Sequence, residues 1–274
     1  MPTYQVVHNT QYHFDEPVVG LTLLTCLKPT QNATQTLGFH KVICLPQAKS
    51  RVEKIDTFGN MQQQLKFHRP LQKIEVSAIS DVMINGLREQ AISKHQPPLW
   101  SELFTSGELQ SILVEAKKFG ADIFTQKNSL SDKVTQLMHR VFTGFVYDVS
   151  ATDVNTPLLS LFKYRRGVCQ DFARVCVAVL QAHNIDARYV SGYLYCDPCE
   201  KNMVRQSASH AWVSVLLPDV GWRDFDPTNN QWTDENYITL GWGRDYVDVI
   251  PVQGQLNGAQ KQRIKVSVII EKQV

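Results

Sequence analysis

Charge of one sign, long apolar runs and closely spaced cysteines are all scarce in this chain. Its 28 Lys and Arg stand against 26 Asp and Glu, a formal balance of +2, and no long run of like charge occurs. The electrostatic footprint of a nucleic-acid-binding or anionic-membrane protein is therefore missing, and a small or neutral partner is expected. No apolar run approaches the ~18 residues of a membrane span. The opening residues Met1-Pro2-Thr3-Tyr4-Gln5-Val6-Val7-His8 lack a basic stretch followed by an apolar core, so a cytoplasmic location without membrane contact is expected. The six cysteines, Cys26, Cys44, Cys169, Cys176, Cys196 and Cys199, are scattered irregularly through 274 residues. That spacing gives no disulfide framework, and free thiols are expected. There is no internal repeat and no low-complexity tract. What is present is a hydrophobic content of 43%, enough for one large domain or two ordinary ones, each with a core.

The hydrophobic pattern changes once along the chain. Up to about residue 90, short apolar or alternating runs (Tyr4–His8, Phe39–Cys44, Met61–Phe67 and Ile74–Ile79) are separated by turns such as Asp56-Thr57-Phe58-Gly59-Asn60. That pattern predicts an all-β sandwich domain over residues 1–92. A polar stretch ending in Pro97-Pro98 is the linker candidate. Beyond it Ser129 and Asp132 cap a helix whose Val134, Leu137, Met138 and Val141 share one face. A second helix is predicted from about Cys169 to His183, with Phe172, Val175, Cys176 and Val179 as its apolar stripe. Strands follow at Ala187–Tyr195, Ser209–Leu217 and Trp222–Asp226. Residues 98–250 thus read as an α+β domain in which a helix packs on an antiparallel sheet. Residues 251–274 add a strand, Arg263–Ile270, with no sheet assigned to it.

Cys169 opens its helix directly after Gly167-Val168. A thiol at a helix N-terminus faces unpaired backbone N–H groups and the positive end of the macrodipole, which favour thiolate. It is a candidate nucleophile, with a buried small residue as the alternative. Cys176, seven residues on and inside the apolar stripe, is read as packing. A nucleophile needs a base and the base an orienter. In the run Ser209 to Thr228, strand alternation sends His210, Trp212 and Ser214 to one face and Ala211, Val213 and Val215 to the other. The returning strand brings Asp224 and Asp226, either of which could fix the His210 tautomer. The N–H of Cys169 is a candidate oxyanion donor, with Tyr147 and Gln170 as further candidates beside it. Cys196-x-x-Cys199 lacks a second pair at metal-ligand spacing and a helix start, and no acidic loop has EF-hand spacing, so neither metal nor cofactor is expected.

The runs GVCQDFARV, IDARYVSGYLY, SHAWVSVLLPDVGWRDFDPT and GRDYVDVIPVQG resemble the bacterial transglutaminase-like superfamily, relatives of animal transglutaminases within the papain-like cysteine enzymes. YQVVHNTQYHFDEPV and DTFGN resemble the β-sandwich that precedes this core in many members. The resemblance implies a papain-like fold and a Cys–His–Asp triad carried by Cys169, His210 and Asp226, the Asp-Pro-Thr match selecting Asp226 over Asp224. It also implies acyl transfer on amide bonds of a peptide or protein substrate through a thioester, as hydrolysis or as transamidation. A non-catalytic peptide-binding module on the same fold is the reading from another class. Many relatives carry histidine where this chain has Arg174.

Overall fold

The computed structural model describes residues 1–86, 99–196, 209–218, 220–255 and 261–273. Pro97, Pro98 and Cys199 lie outside them. The first part is strand throughout: β1 (Thr3–Val18), β2 (Thr22–Thr25), β3 (Gln35–Leu45), β4 (Ser50–Ile55), β5 (Met61–Lys66) and β6 (Leu71–Ile84). Then come α1 (Ser106–Phe124), α2 (Leu130–Gly144), β7 (Val146–Tyr147), α3 (Leu158–Tyr164), β8 (Arg166–Gly167) and α4 (Cys169–Ala182). The chain continues through β9 (Ala187–Leu194), β10 (Ser209–Leu217), β11 (Gly221–Asp226), β12 (Gln231–Trp232) and β13 (Tyr237–Gly243). It ends in β14 (Val252–Gln255) and β15 (Gln262–Gln273). The class is α+β, and apart from the short parallel pair β7–β8 every strand pair is antiparallel.

Two four-stranded sheets, ordered β15-β1-β6-β3 and β14-β2-β5-β4, face one another across Tyr12, Phe14, Leu23, Leu65, Ile74 and Val76. The last two strands therefore belong to the sandwich. β15 pairs with β1 from Thr3↔Gln273 to Phe14↔Gln262, and β14 pairs with β2. This gives the C-terminal strand the sheet that sequence alone did not assign.

The inward face of β1 serves two cores. Tyr12 and Phe14 fill the sandwich, whereas Tyr4 and Val6 pack with Val82 and Ile84 against Tyr193, Ile238 and Leu240 of β9 and β13. Between them His8 is buried, its ring nitrogens bonded to the Tyr193 hydroxyl at 3.0 Å and to Thr10 Oγ1 at 3.1 Å. Burial lowers its pKa to about 4, which keeps the ring neutral.

The second part is built on a five-stranded sheet, β12-β11-β10-β9-β13. One face, through Ala211, Val213, Val215 and Phe225, meets α4, and α1 to α3 pack around α4. Nearly every side chain of α4 beyond its first turn is buried, including the predicted Phe172, Val175, Cys176 and Val179. α2 starts as predicted, Ser129 Oγ accepting from the Asp132 N–H, with Val134, Leu137, Met138 and Val141 inward. No helix among the described residues is long and apolar enough to cross a membrane.

Candidate active site

The start of α4 is fixed by three features of its own sequence. Arg165 ends α3 in a left-handed conformation, and Gly167 has φ of +155°. A Cβ at Gly167 would run into the Asp171 carboxylate, so glycine is required there on both grounds. Asp171 Oδ2 then accepts from the Val168 N–H at 2.9 Å and from Thr152 Oγ1 at 2.6 Å. This is half of a capping box, because Val168 has no side-chain acceptor to complete it. Arg174, one turn on, donates from Nε to Asp245 at 3.0 Å and from Nη1 to the Thr156 carbonyl at 2.9 Å. Arg174 is thus a strut between α4, the loop before α3 and the segment after β13.

Cys169 is half-buried at this N-terminus. Its thiol is close enough to the His210 imidazole to act on its protonation. The other side of that ring is taken: His210 Nε2 lies 2.7 Å from Asp226 Oδ2, which leaves Nδ1 for sulfur. Burial works against the imidazolium, but the charges of Asp226 and Cys169 and the bond to Asp226 outweigh it, and the His210 pKa stands well above its ordinary value. Cys176, fully buried in the same helix, has its thiol pushed strongly upward by burial, as expected for a packing cysteine.

Asp226 ends β11 with no exposed surface. Oδ1 accepts from the Thr228 N–H at 2.8 Å and the Asn229 N–H at 3.3 Å. Oδ2 accepts from His210, from Asn229 Nδ2 at 2.6 Å and from the Tyr237 hydroxyl at 2.8 Å. Burial alone would raise this carboxyl, yet His210, Asn229 and Tyr237 together hold it below its usual value, so it remains an anion. Asp224 points elsewhere: its Oδ2 accepts from Trp212 Nε1 at 2.9 Å. Two residues apart on one strand, the two carboxylates thus have different partners.

The remaining candidates gather at the same helix end. β7 pairs with β8 so that Tyr147 lies opposite Gly167. Its phenol is pushed up to about 12 by burial and then by the neighbouring Cys169, Asp226 and Asp171. Gln170 is the second residue of α4, partly exposed. Cys196 is half-buried beside Val190, Leu194, Trp212 and Tyr237, and no group of three or more potential metal ligands occurs among the described residues. His139 is exposed on α2, whereas His183 stacks on Phe124 with ring centroids 4.4 Å apart. Tyr237, Asn229 and Gln231 were not singled out from sequence. A polar Asn-Asn-Gln turn immediately after Asp-Pro-Thr was their only local signal.

Residues 117–227 match the model of the transglutaminase-like superfamily, and residues 4–83 match that of the bacterial transglutaminase-like N-terminal region. An uncharacterized protein of Mycobacterium tuberculosis is 30% identical over 289 residues, covering 97% of this chain and 91% of the relative. A protein-glutamine gamma-glutamyltransferase of Pseudomonas aeruginosa is 39% identical over 71 residues, 25% of this chain and 11% of that protein. A crystal structure from Cytophaga hutchinsonii, provisionally described as a cysteine protease, superposes with a TM-score of 0.74 at 17% identity. It covers 99% of this chain and 90% of its own, which is a likeness of fold.

Proposed function

The chain belongs to the transglutaminase-like superfamily, within the papain-like class of cysteine enzymes, and from that premise we propose that it hydrolyses a peptide or isopeptide bond. The observation that carries this reading is the His210 ring bonded through Nε2 to the buried Asp226 and neighbouring the Cys169 thiol at the start of α4. In the first half-reaction the Cys169 sulfur, its proton passed to His210, attacks the amide carbon, and the carbonyl electron pair moves to oxygen beside the α4 N-terminus. The Cys169 N–H is the proposed donor to that oxygen, with Tyr147 and Gln170 as further candidates. His210 returns the proton to the departing nitrogen, the C–N bond breaks and a thioester remains. Asp226 keeps the imidazole in the tautomer that can accept the thiol proton and stabilises the imidazolium. Water, deprotonated by His210, then breaks the C–S bond and releases a carboxylic acid.

The same thioester resolved by an amine would give transamidation, the activity named for the Pseudomonas aeruginosa relative. Hydrolysis is preferred because water needs no second binding site. A peptide library incubated with the wild type and with Cys169→Ala, in the presence and absence of a primary amine, separates the readings by mass spectrometry. New carboxyl termini that need Cys169 are expected. Amine-capped glutamines instead would make the enzyme a transferase. Unchanged peptides that still bind the protein would leave a non-catalytic module.

A further inference from the structure

The Asp226 carboxylate has a donor that the triad does not use. Tyr237 opens β13, and its hydroxyl donates to Asp226 Oδ2 at 2.8 Å while accepting from Gln231 Nε2 at 2.9 Å. A hydroxyl has one proton, so acceptance from Gln231 leaves that proton aimed at the carboxylate. The ring is buried, edge-on to Trp212 at 5.3 Å between centroids and 6.3 Å from His210. Burial and the adjacent Asp226 charge hold the phenol well above its ordinary range, so it remains a donor across the working pH.

β13 is the outermost strand of the five-stranded sheet, with β9 on one side. Its other edge is met by two side-chain amides from the sandwich, each bonding a residue of β13 as a neighbouring strand would. Gln35 accepts from the Thr239 N–H at 2.8 Å and donates to the Thr239 carbonyl at 2.7 Å. Asn60 accepts from the Trp242 N–H at 3.0 Å and donates to the Trp242 carbonyl at 2.8 Å. Asn60 is itself held by Asp56, which accepts from its backbone N–H at 2.8 Å and its amide at 2.9 Å. Beside Tyr237, Asn236 Oδ1 accepts from the Tyr4 hydroxyl at 3.1 Å. The DTFGN turn is therefore a clamp on the strand that carries Tyr237.

We propose that Tyr237 is a positioning residue for the Asp226–His210 pair and that the β-sandwich acts on the site by clamping β13 through Gln35 and Asn60. The proposal rests on the triad reading above. Tyr237 shares Oδ2 with His210, so it fixes the oxygen to which the imidazole is bonded and draws off part of its charge.

Among the described residues the titratable groups facing His210 are Asp226 from β11, Tyr237 from β13 and Cys169 from α4. In the full chain, the downfield proton NMR signal of His210 Nε2–H, identified by its loss in His210→Ala, reports the pair without any turnover. In Tyr237→Phe this signal is expected to shift and its proton to exchange with water roughly fivefold faster, the factor one net hydrogen bond contributes. With one donor fewer on Asp226, its charge acts more fully on the imidazolium, and the alkaline limb of the Cys169 alkylation profile moves to higher pH. Gln231→Leu frees the phenol proton to turn away and should move both readouts in the same direction; it serves if Tyr237→Phe does not fold. Asn60→Ala, remote from His210, should also shift the signal. A wild-type signal, exchange rate and pH profile in the Tyr237 and Gln231 variants would overturn the positioning role. An unchanged signal in Asn60→Ala alone would overturn the role of the sandwich. A wild-type Cys169 that alkylates no faster than the other thiols would instead count against the proposed function, while the NMR comparison still judges Tyr237.

Discussion

Replacing Asp226 by asparagine puts an NH₂ group where only donors converge. Facing Oδ2's partners it would meet three donors, His210, Asn229 and Tyr237; facing Oδ1's it would meet two backbone N–H groups. The second orientation is the cheaper, and at about 1–3 kcal/mol per unsatisfied buried group it costs roughly 2–6 kcal/mol of stability. In that orientation the amide oxygen still accepts from His210, so the tautomer survives and the negative charge is lost. The equivalent change in a serine-protease triad costs ~10⁴ in kcat. Here the helix N-terminus continues to favour the thiolate, and the expected loss is about 10²-fold, roughly 2.7 kcal/mol at ~1.36 kcal/mol per decade. The rate of Cys169 carbamidomethylation at pH 6, mapped by mass spectrometry, measures this without a known substrate. An ordinary thiol is only roughly 0.3% thiolate at that pH, which caps the loss at a few hundredfold. Asp224→Asn can keep its amide oxygen on Trp212 and should stay within about tenfold of wild type. Both variants must retain a cooperative melting transition. A folded Asp226→Asn protein that alkylates within tenfold of wild type, or a larger loss in Asp224→Asn, would refute the assignment of the orienting carboxylate.

Gly167→Ala combines a strained φ of +155° with a Cβ driven into Asp171. It should cost about 2–4 kcal/mol in urea unfolding, and a change below ~0.5 kcal/mol would contradict that account of the α4 start. Between pH 4 and 6.5 the unfolded chain binds a proton at His8 that the folded chain, with its pKa near 4, does not. Acidification across that window should therefore remove up to about 3 kcal/mol of stability. His8→Gln should flatten the dependence, and an unchanged slope would show that His8 is not its source. A protease site engineered between residues 86 and 99 should, once cut, leave two fragments that co-elute under native conditions. They share the Tyr4–Val6–Tyr193–Ile238 cluster, and β14 and β15 return to the sandwich. Separation into two folded pieces would mean that this shared core is dispensable.

The elements with strong local periodicity were legible in the sequence. α2 shows its cap and its Val134, Leu137, Met138, Val141 stripe, and strands β9 to β11 of the five-stranded sheet lie within a residue or two of their expected ends. α1 was not read, although Thr105 and Glu108 form a complete capping box at its start and S/T-x-x-E is a recognised signature. The pairing of β15 with β1 has no local signal, because the two strands lie at opposite ends of the chain. Cys169 and His210 could be named because a helix start and strand alternation constrain them, while alternation leaves Asp224 and Asp226 equivalent and the Asp-Pro-Thr resemblance selects Asp226. Their supports could not: Tyr237 reaches Asp226 only after β13 folds back on β9, and Gln35 and Asn60 meet β13 from about 200 residues away. The role of Arg174 has no local signal either, because its partners, Asp245 and the Thr156 carbonyl, come from segments 71 and 18 residues away.

The central claim is that Cys169 carries an acyl group, and intact-protein mass spectrometry after rapid quench from an activated ester at neutral pH tests it most directly. The account predicts one acyl group per chain, located on Cys169 by peptide mapping, absent in Cys169→Ala and slow to form in His210→Ala. Acylation spread over Cys26, Cys44, Cys176 and Cys196, or equally fast without His210, would contradict it.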